Sequence, residues 1–403
     1  MLKKISFLLL ICCGPLIAFS AENRSIVVRK KAQANPTIAF GGVAGNSELT
    51  DQIQRFISFS GWFDPVQPGR DADFMLKAVA SETSVDIFLY HGENNRLKGW
   101  RFNRSRGARE TAKTVVDTII EFLFEQLSVR GFCHSRIAFC AETRSGVRNI
   151  FLCDIDGGEL EQITSYNTLN VEPCWSPNGK TICFSKYGKT GIDIVETTVA
   201  KPRRSRILTS FRGINTGAAV SPDGQYMAVI LSPDHQVDLY VLGLGRRYQK
   251  RLSKGIAVEA SPCWSPDGKK LAFVSDRRGN PRIFISNADG SGLEIVPTVG
   301  IDAVTPSWSA DGKIAYAVRL SRGSNYVLAV YDLKTKENKV VTKGSGSWES
   351  PGWAADNRQV VCKRTVNGKS SLWIVDTRTG RERELLRTGT ELFDPAWSPC
   401  TKR

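Results

Sequence analysis

The stretch Glu259-Ala-Ser-Pro-Cys-Trp-Ser-Pro-Asp-Gly-Lys-Lys-Leu-Ala-Phe273 decides the fold, because looser copies of it recur through the last two-thirds of a 403-residue chain. Each copy is an aromatic or aliphatic residue followed by a turn similar to Ser-Pro-Asp-Gly, and the copies start at Trp175, Val220, Trp264, Trp308, Trp353 and Trp397. Successive starts lie 45, 44, 44, 45 and 44 residues apart. A period of about 40–45 residues is typical of β-propellers, in which each repeat forms one four-stranded sheet.

The residues within one repeat agree with four strands per blade. Asp267-Gly268 lies between two apolar runs, where glycine supplies the positive φ of a tight hairpin turn. The segments Leu271–Val274, Arg282–Ser286 and Leu293–Val296 predict the second, third and fourth strands. Because the Asp of the turn recurs in most blades, it predicts hydrogen bonds within the turn and not a catalytic carboxylate. The repeated tryptophans are likewise expected to pack between sheets.

The two ends of the repeat region predict how the ring closes. The last copy, Ala396-Trp-Ser-Pro399, stops just before the chain does and supplies only a first strand. Three strand-like segments, Arg136–Cys140, Asn149–Cys153 and Leu160–Thr164, precede the first copy and match strands two to four. Five complete repeats and two complementary partial ones therefore predict six blades. Pairing the two chain ends in one sheet would remove the exposed sheet edges.

The amino terminus has the features of a secretory signal peptide. Basic Met1-Leu-Lys-Lys4 precedes the apolar run Ile5–Ile11, and small residues follow, so that cleavage is expected after Ser20 or Ala21. The apolar run is too short to span a bilayer. A lipoprotein anchor at Cys12 or Cys13 is the less favoured alternative, because the residues before them are not small.

The mature chain is expected to contain two domains, 22–131 and 132–403, behind a signal peptide of residues 1–21. Residues 22–131 lack the repeat and alternate between strand-like and helix-like patterns, which predicts a small α/β domain. Ser47 is the expected N-cap of its first helix. A second helix is expected from about Arg109 to Leu127, with Gly131 ending it and leading to the propeller.

Charge and composition bound the function. The formal net charge is +15, and residues 132–403 hold 38 basic and 27 acidic side chains. The excess favours an anionic partner such as a cell-wall polymer, lipid head groups or an acidic protein face, although a role in solubility is as good an explanation. Export argues against nucleic acid. No later stretch is apolar enough to span a membrane.

The sequence gives little support for catalysis, a cofactor or a metal. It lacks a Gly-x-Ser-x-Gly elbow, a His-Glu-x-x-His motif and a phosphate-binding Gly-x-x-x-x-Gly-Lys-Ser/Thr loop. Its three histidines are dispersed. Eight cysteines lie between Cys133 and Cys400, mostly at strand positions, which favours their use as small apolar residues over a disulfide framework.

The position three residues before each tryptophan varies, and it is the first candidate site. It holds Glu172, Ser261, Thr305, Ser350 and Asp394, each followed by Pro, with Gly217 in the repeat that lacks Trp. Because the first strand of each propeller blade lines the central channel, these side chains are expected to ring one mouth of it and to bind a protein partner. Local hydrogen bonds at the strand ends are the equal alternative.

The second candidate site is the mature amino terminus, residues 22–34. Its short β-prone core, Ile26, Val27 and Val28, could add as a strand to the sheet of a partner protein, or could pair within its own domain.

A signal peptide, a small α/β domain and six repeats that end at a last Trp-Ser-Pro together resemble the TolB family, periplasmic components of the Tol-Pal system of Gram-negative bacteria. The resemblance covers essentially the whole mature chain. The repeats alone are less specific, since similar ones occur in propellers attached to prolyl-oligopeptidase-type serine hydrolases. Val220 and Ala354-Ala-Asp-Asn357 depart from the repeat pattern without changing the number of repeats.

The resemblance implies a monomeric, non-enzymatic periplasmic adaptor without a cofactor. In that family the propeller binds the peptidoglycan-associated lipoprotein Pal, and the amino-terminal segment contacts the inner-membrane protein TolA. These regions correspond to the channel rim and to residues 22–34. The implied roles are envelope integrity, outer-membrane constriction at division and protein import. Two alternatives stay open: an exported propeller hydrolase or lyase, and a binder of cell-wall polymers.

Overall fold

A computed structural model of the chain describes residues 17–21, 24–28, 34–125, 131–245 and 248–399, with the backbone alone for the first two segments and for Arg203. The chain divides into two compact units, Met1–Gln126 and Leu127–Arg403, here called the α/β unit and the propeller unit. Most of the expected signal peptide, residues 1–16, lies outside the described residues. No helix among the described residues is long and apolar enough to cross a membrane.

In its described residues, the α/β unit contains a two-stranded sheet, a five-stranded sheet and two helices. The elements are β1 (Ile17–Ala21), β2 (Arg24–Val28), β3 (Thr37–Val43), α1 (Ser47–Ser60), β4 (Asp64–Val66), β5 (Phe74–Ala80), β6 (Ser84–His91), β7 (Asn95–Asn103) and α2 (Gly107–Leu123). β1 pairs with β2, and the larger sheet has the order β4-β3-β5-β6-β7. β3 is parallel to β4 and β5, whereas β5, β6 and β7 are antiparallel.

The helices cover one face of the five-stranded sheet. Leu49, Ile53 and Phe56 of α1 are fully buried, as are Val116 and Ile120 of α2, at the helical spacing that the sequence shows. This apolar stripe, packed against alternate residues of the strands, forms the core of the unit.

Three details of the α/β unit differ from the sequence-based prediction. The N-cap of α1 is Asn46 and not Ser47, because the Asn46 side chain accepts a hydrogen bond from the Leu49 N–H at 2.9 Å. Helix α2 ends at Leu123, four residues before the predicted end, with Phe124 as its C-cap. Gly131 (φ 55°) therefore does not end the helix, and it precedes a 3₁₀ turn instead. β4 was not predicted, because three residues that include a proline carry no strand pattern.

The propeller unit is a ring of six four-stranded antiparallel sheets, as the repeats predict. Five blades are continuous in sequence, and their strands, in order from the innermost, follow in sets of four. They are β11 (Asn170–Trp175), β12 (Thr181–Tyr187), β13 (Ile192–Thr198) and β14 (Lys201–Thr209); β15 (Asn215–Val220), β16 (Tyr226–Leu231), β17 (Asp238–Gly243) and β18 (Gln249–Arg251); β19 (Glu259–Trp264), β20 (Lys270–Arg278), β21 (Asn280–Asn287) and β22 (Glu294–Ile295); β23 (Asp302–Trp308), β24 (Lys313–Arg319), β25 (Tyr326–Asp332) and β26 (Asn338–Val340); β27 (Ser347–Trp353), β28 (Gln359–Val366), β29 (Lys369–Asp376) and β30 (Glu382–Leu386).

The sixth blade joins the two ends of the unit. It contains β8 (Arg136–Arg144), β9 (Val147–Asp154), β10 (Glu161–Gln162) and, as its innermost strand, β31 (Leu392–Trp397). β31 pairs with β8, and the Arg136 N–H donates to Ser398 Oγ at 2.9 Å. The predicted closure by complementary partial repeats is confirmed.

The repeated turn residues stabilise the hairpins between the first and second strands. Ser265 Oγ donates to Asp267 Oδ1 at 2.6 Å, and that carboxylate accepts the Lys269 N–H at 3.1 Å. Gly268, with φ of 69°, adopts the left-handed conformation that the turn requires. The predicted local role of the recurring Asp is therefore confirmed.

The repeated tryptophans connect neighbouring blades. Trp264 Nε1 donates to the Ala219 carbonyl of the preceding blade at 2.9 Å, and Trp175 Nε1 donates to the Ala396 carbonyl at 3.0 Å. Trp353 Nε1 forms the equivalent bond to the Ser307 carbonyl at 2.9 Å. These rings are structural, as predicted, because their one polar atom is used between sheets.

Candidate functional site

The candidate rim residues share a distorted backbone. In each first strand the pairing register shifts across them, as a β-bulge does. Their φ values are all positive: 57° at Glu172, 62° at Gly217, 49° at Ser261, 49° at Thr305, 52° at Ser350 and 47° at Asp394. A side chain in this left-handed region costs roughly 1–2 kcal/mol per residue. Five of six blades therefore keep a strained side chain where glycine would serve, which is common at functional sites.

The structure brings these residues together. All six line a single cavity of about 190 Å³, together with the residue that follows each of them, which is proline in five blades. They belong to the innermost strands of the ring, so that the cavity lies along the channel. The six residues therefore lie around one cavity, as the sequence predicts. That they bind a protein partner stays a prediction.

Glu172 is held firmly by its neighbours. Its Oε2 accepts hydrogen bonds from Ser185 Oγ at 2.8 Å and from the Gly217 N–H at 2.9 Å, and also from Thr216 Oγ1. Since Thr216 and Gly217 belong to the next blade, this carboxylate links two blades. The alternative role proposed for the rim residues, local hydrogen bonding, therefore accounts for part of what Glu172 does.

Asp394 is less fully bonded. Its oxygens face Ser350 Oγ at 3.4 Å and Cys140 Sγ at 3.8 Å, both long for hydrogen bonds. Burial, and then the nearby charge of Glu172, raise the pKa of this carboxyl above its usual value. The cavity thus contains two neighbouring carboxyl groups, one engaged by its neighbours and one with hydrogen-bonding capacity left.

Basic and aromatic side chains surround the acidic side of the cavity. The Arg148 guanidinium lies 3.6 Å from the centre of the Phe393 ring, and Lys363 Nζ lies 5.6 Å from it. Lys363 also pairs with Glu349 at 2.6 Å. Arg148 and Lys363 are not among the residues that the sequence predicts for this site. They lie on β9 and β28, outside the repeated motif, and the only available signal was the adjacency of Phe393 to Asp394.

The hydroxyl side of the ring is the other half of the site. Thr305 Oγ1 is buried and has no hydrogen-bond partner among the described residues. A ring that combines carboxylates, free hydroxyl groups and nearby cations can bind hydrogen-bond donors and acceptors of a protein surface. Among the described residues, no group of three or more His, Cys, Asp and Glu is placed to hold a metal ion.

The opposite end of the channel is different. There the tryptophans and the Ser-Pro segments line a wider cavity of about 590 Å³. Trp175, Trp264 and Trp397 are almost completely buried, and the hydrogen bonds of Trp175 and Trp264 given above join blades. This end is therefore built from residues that the fold itself needs.

The cysteines are free thiols in the described part of the chain. Cys140, Cys153, Cys183 and Cys362 are buried among strand residues. Burial raises the pKa of the Cys153 thiol to about 12 and that of Cys263 to about 12. Such thiols are poor nucleophiles, in agreement with a packing role.

The second candidate site lies in β2. Ile26, Val27 and Val28 pair with Phe19, Ala18 and Ile17 of β1, and their side chains lie outside the described residues. β1 belongs to the segment that the sequence predicts to be removed as a signal peptide. Removal would leave β2 without this partner strand.

Residues 124–401 match the family described as the TolB beta propeller domain. A "Protein TolB homolog" of Chlorobium chlorochromatii is 30% identical over 313 residues, which are 66% of this chain and 68% of that protein. A "Tol-Pal system protein TolB" of Francisella tularensis is 27% identical over 305 residues, 71% of this chain and 69% of that protein.

A solved structure has the same fold. The crystal structure of TolB from Acinetobacter baumannii superposes with a TM-score of 0.81 at 23% identity, covering 91% of this chain and 97% of that chain. A putative TolB from Agrobacterium tumefaciens gives a TM-score of 0.52 at 17% identity over 66% of this chain. At these identities the likeness concerns the fold alone.

Proposed function

Because the chain belongs to the TolB beta-propeller family, we propose that it is a non-enzymatic adaptor of the Tol-Pal system in the periplasm. In this proposal residues 1–21 direct export, residues 22–131 form the amino-terminal domain, and residues 132–403 form the propeller. The propeller binds a peptidoglycan-associated lipoprotein, and the amino-terminal segment binds a TolA-like inner-membrane protein. The complex supports envelope integrity, outer-membrane constriction at division and protein import.

The observation that carries this proposal is the strained ring at one end of the channel. The ring keeps Ser, Thr, Glu and Asp at a backbone position that suits glycine, and these side chains differ from blade to blade. Residues needed only for the fold would be expected to repeat, as the tryptophans do. A varied set on a rigid ring suits the recognition of one asymmetric protein surface.

Strand β2 supports the proposal because removal of the signal peptide would remove β1, the strand with which β2 pairs. An extended segment without a paired strand presents free N–H and C=O groups to the sheet edge of a partner. Ile26, Val27 and Val28 are β-prone residues that would add side-chain contacts.

The test uses the protein as the host exports it and the purified soluble domain of the lipoprotein, with affinity measured by calorimetry. The double variant Asp394→Asn/Ser350→Ala removes the less engaged carboxylate and its hydroxyl neighbour. We expect its affinity to fall at least about tenfold, as at a contact that dominates an interface. Deletion of residues 24–28 should leave this affinity unchanged and should abolish capture of the TolA-like protein.

The matched control is Asp289→Asn/Ser291→Ala, an Asp–Ser pair in an exposed turn where Ser291 Oγ donates to Asp289 at 2.6 Å. It should bind the lipoprotein as the unaltered protein does. Equal affinity of both double variants would place the docking surface elsewhere. If the unaltered protein binds no lipoprotein domain at low salt, the adaptor proposal is wrong.

A further inference from the structure

The five-stranded sheet of the α/β unit has one face that the helices do not cover. Alternate strand residues point to opposite faces, and the buried set Phe74, Leu76, Val85, Ile87 and Leu89 points to the helices. The cross-strand pairs Lys77 with Phe88, Val79 with Asp86 and Met75 with Tyr90 therefore share the other face. We call it the open face, and Arg96 and Arg101 of β7 complete it.

Two cations on the open face are held against aromatic rings. The Arg96 guanidinium carbon lies 4.3 Å from the centre of the Phe88 ring, and Lys77 Nζ lies 4.7 Å from the centre of the Tyr90 ring. Such a contact contributes about 0.5–1 kcal/mol at an exposed site. It restricts the side chain in advance of binding, so that less conformational entropy is lost when a ligand arrives.

Gly99 provides the space for this arrangement. It lies opposite Phe88, and a Cβ atom there would lie 2.4 Å from Arg96 Nη2 and 2.9 Å from Phe88 Cδ1. Its φ is not in the left-handed region, so that backbone conformation does not explain a glycine here. The absence of a Cβ atom at Gly99 leaves room for the Arg96 guanidinium beside the Phe88 ring.

The charges of the open face are unbalanced. Arg101 forms a two-point ion pair with Asp86, with bonds of 2.7 and 2.8 Å. No such carboxylate pairs with Arg96 or Lys77 among the described residues, and both side chains are exposed. Beside them Val79 is 62% exposed. The surface thus offers two positioned cations and an apolar patch.

These features select the kind of ligand. A guanidinium with a free planar edge suits a carboxylate bound at two points. The aromatic faces are occupied by cations, which disfavours stacking of sugar rings. A phosphate polymer would satisfy the cations but would leave Val79 and Met75 without an apolar partner. A peptide with acidic and apolar side chains satisfies both.

We propose that the open face is a docking surface for an acidic segment of a partner protein, whose carboxylates bind Arg96 and Lys77. This surface is separate from the channel ring and from β2. Failure of the lipoprotein contact would therefore not contradict this proposal, and the reverse also holds.

The test is affinity selection from a random peptide library with three forms of the exported protein. The unaltered protein should enrich peptides rich in Asp and Glu. The variant Lys77→Gln/Arg96→Gln should not enrich them, and it should bind a recovered peptide about tenfold more weakly, as expected for two charge-assisted hydrogen-bonded contacts. The control Arg70→Gln/Lys98→Gln removes the same charge from exposed positions of the same unit and should select the same peptides as the unaltered protein.

A further variant, Gly99→Ala, keeps every charge but displaces the guanidinium. It should weaken peptide binding while thermal unfolding shows an intact fold, which separates a positioned cation from net charge. The proposal is wrong if the unaltered protein selects no acidic peptides. It is also wrong if both double variants select the same peptides, or if polyphosphate binds the unaltered protein more tightly than any recovered peptide.

Discussion

The two ends of the propeller channel are built from the same six strands, yet they differ in almost every respect. At one end the tryptophan repeats, and Trp175, Trp264 and Trp353 each donate a hydrogen bond to the preceding blade. At the other end, three residues earlier in each strand, the side chain differs among most blades and the backbone is strained. Repetition marks what the fold needs, and variation at a strained position marks what a partner can recognise.

The largest expected effect tests the structural end. Trp264→Ala removes a buried ring and its bond to Ala219, and should lower the free energy of unfolding by about 3–5 kcal/mol, the usual cost of such a cavity. Ser261→Ala, three residues earlier in the same strand, should cost less than about 1 kcal/mol. Urea unfolding of both variants measures the difference. Similar losses would show that the two ends do not differ in their contribution to stability.

A smaller effect concerns the carboxyl groups. Burial and Glu172 raise the pKa of Asp394, so the unfolded chain ionises this group at lower pH than the folded chain does. Ionised Asp394 therefore destabilises the fold at neutral pH; the penalty begins to decrease as the pH falls through the folded pKa and is gone below the unfolded pKa. Asp394→Asn should therefore raise the melting temperature at neutral pH, and thermal unfolding against pH should show this gain shrinking in acid.

At the structural end, in the hairpin turn after Trp264, the pKa of a carboxyl group is shifted in the opposite direction. Hydrogen bonds from Ser265 and from the Lys269 N–H lower the pKa of Asp267, so this group stabilises the fold at neutral pH and loses its contribution as the pH falls. Asp267→Asn should therefore be less stable than the unaltered protein at neutral pH, and the two should converge in acid. Thermal unfolding against pH measures both variants. Parallel profiles for Asp394→Asn and Asp267→Asn would contradict the comparison.

The smallest expected effect tests the backbone strain directly. Thr305→Gly relieves a left-handed conformation worth roughly 1–2 kcal/mol but makes the unfolded chain more flexible, so a net gain of about 0.5 kcal/mol in unfolding free energy is expected. Gly268→Ala introduces such strain in the hairpin turn at the structural end, and should lower the free energy of unfolding by about 1 kcal/mol. Chemical denaturation of Thr305→Gly and Gly268→Ala measures both changes in the free energy of unfolding. A stability loss in Thr305→Gly would show that its side chain is structural.

The fold was predictable because its signal is local and repeated. The spacing from Trp175 to Trp397 and the partial repeats at the two ends predicted six blades and their closure, which β8 and β31 confirm. The details that failed involve single competing residues. Asn46 caps α1 although Ser47 next to it has a suitable side chain, and β4 is too short to show alternation.

The candidate site was predictable only in outline. Position in the repeat identified the ring from Glu172 to Asp394. The contacts of Arg148 with Phe393 and of Cys140 with Asp394 join residues more than 240 positions apart, and no periodic signal records them. The same holds for Arg96 on Phe88, which depends on the register between two strands and on the absence of a Cβ atom at Gly99.

By itself the sequence determined the blade count, the closure of the ring and the structural role of the repeated tryptophans and aspartates, because these follow from periodicity and turn chemistry that are written locally in every repeat. The tertiary structure alone decided which carboxylate is held and which is left with hydrogen-bonding capacity, and which cations are positioned on the open face. Those properties depend on burial and on contacts between distant strands, which arise only when the chain folds.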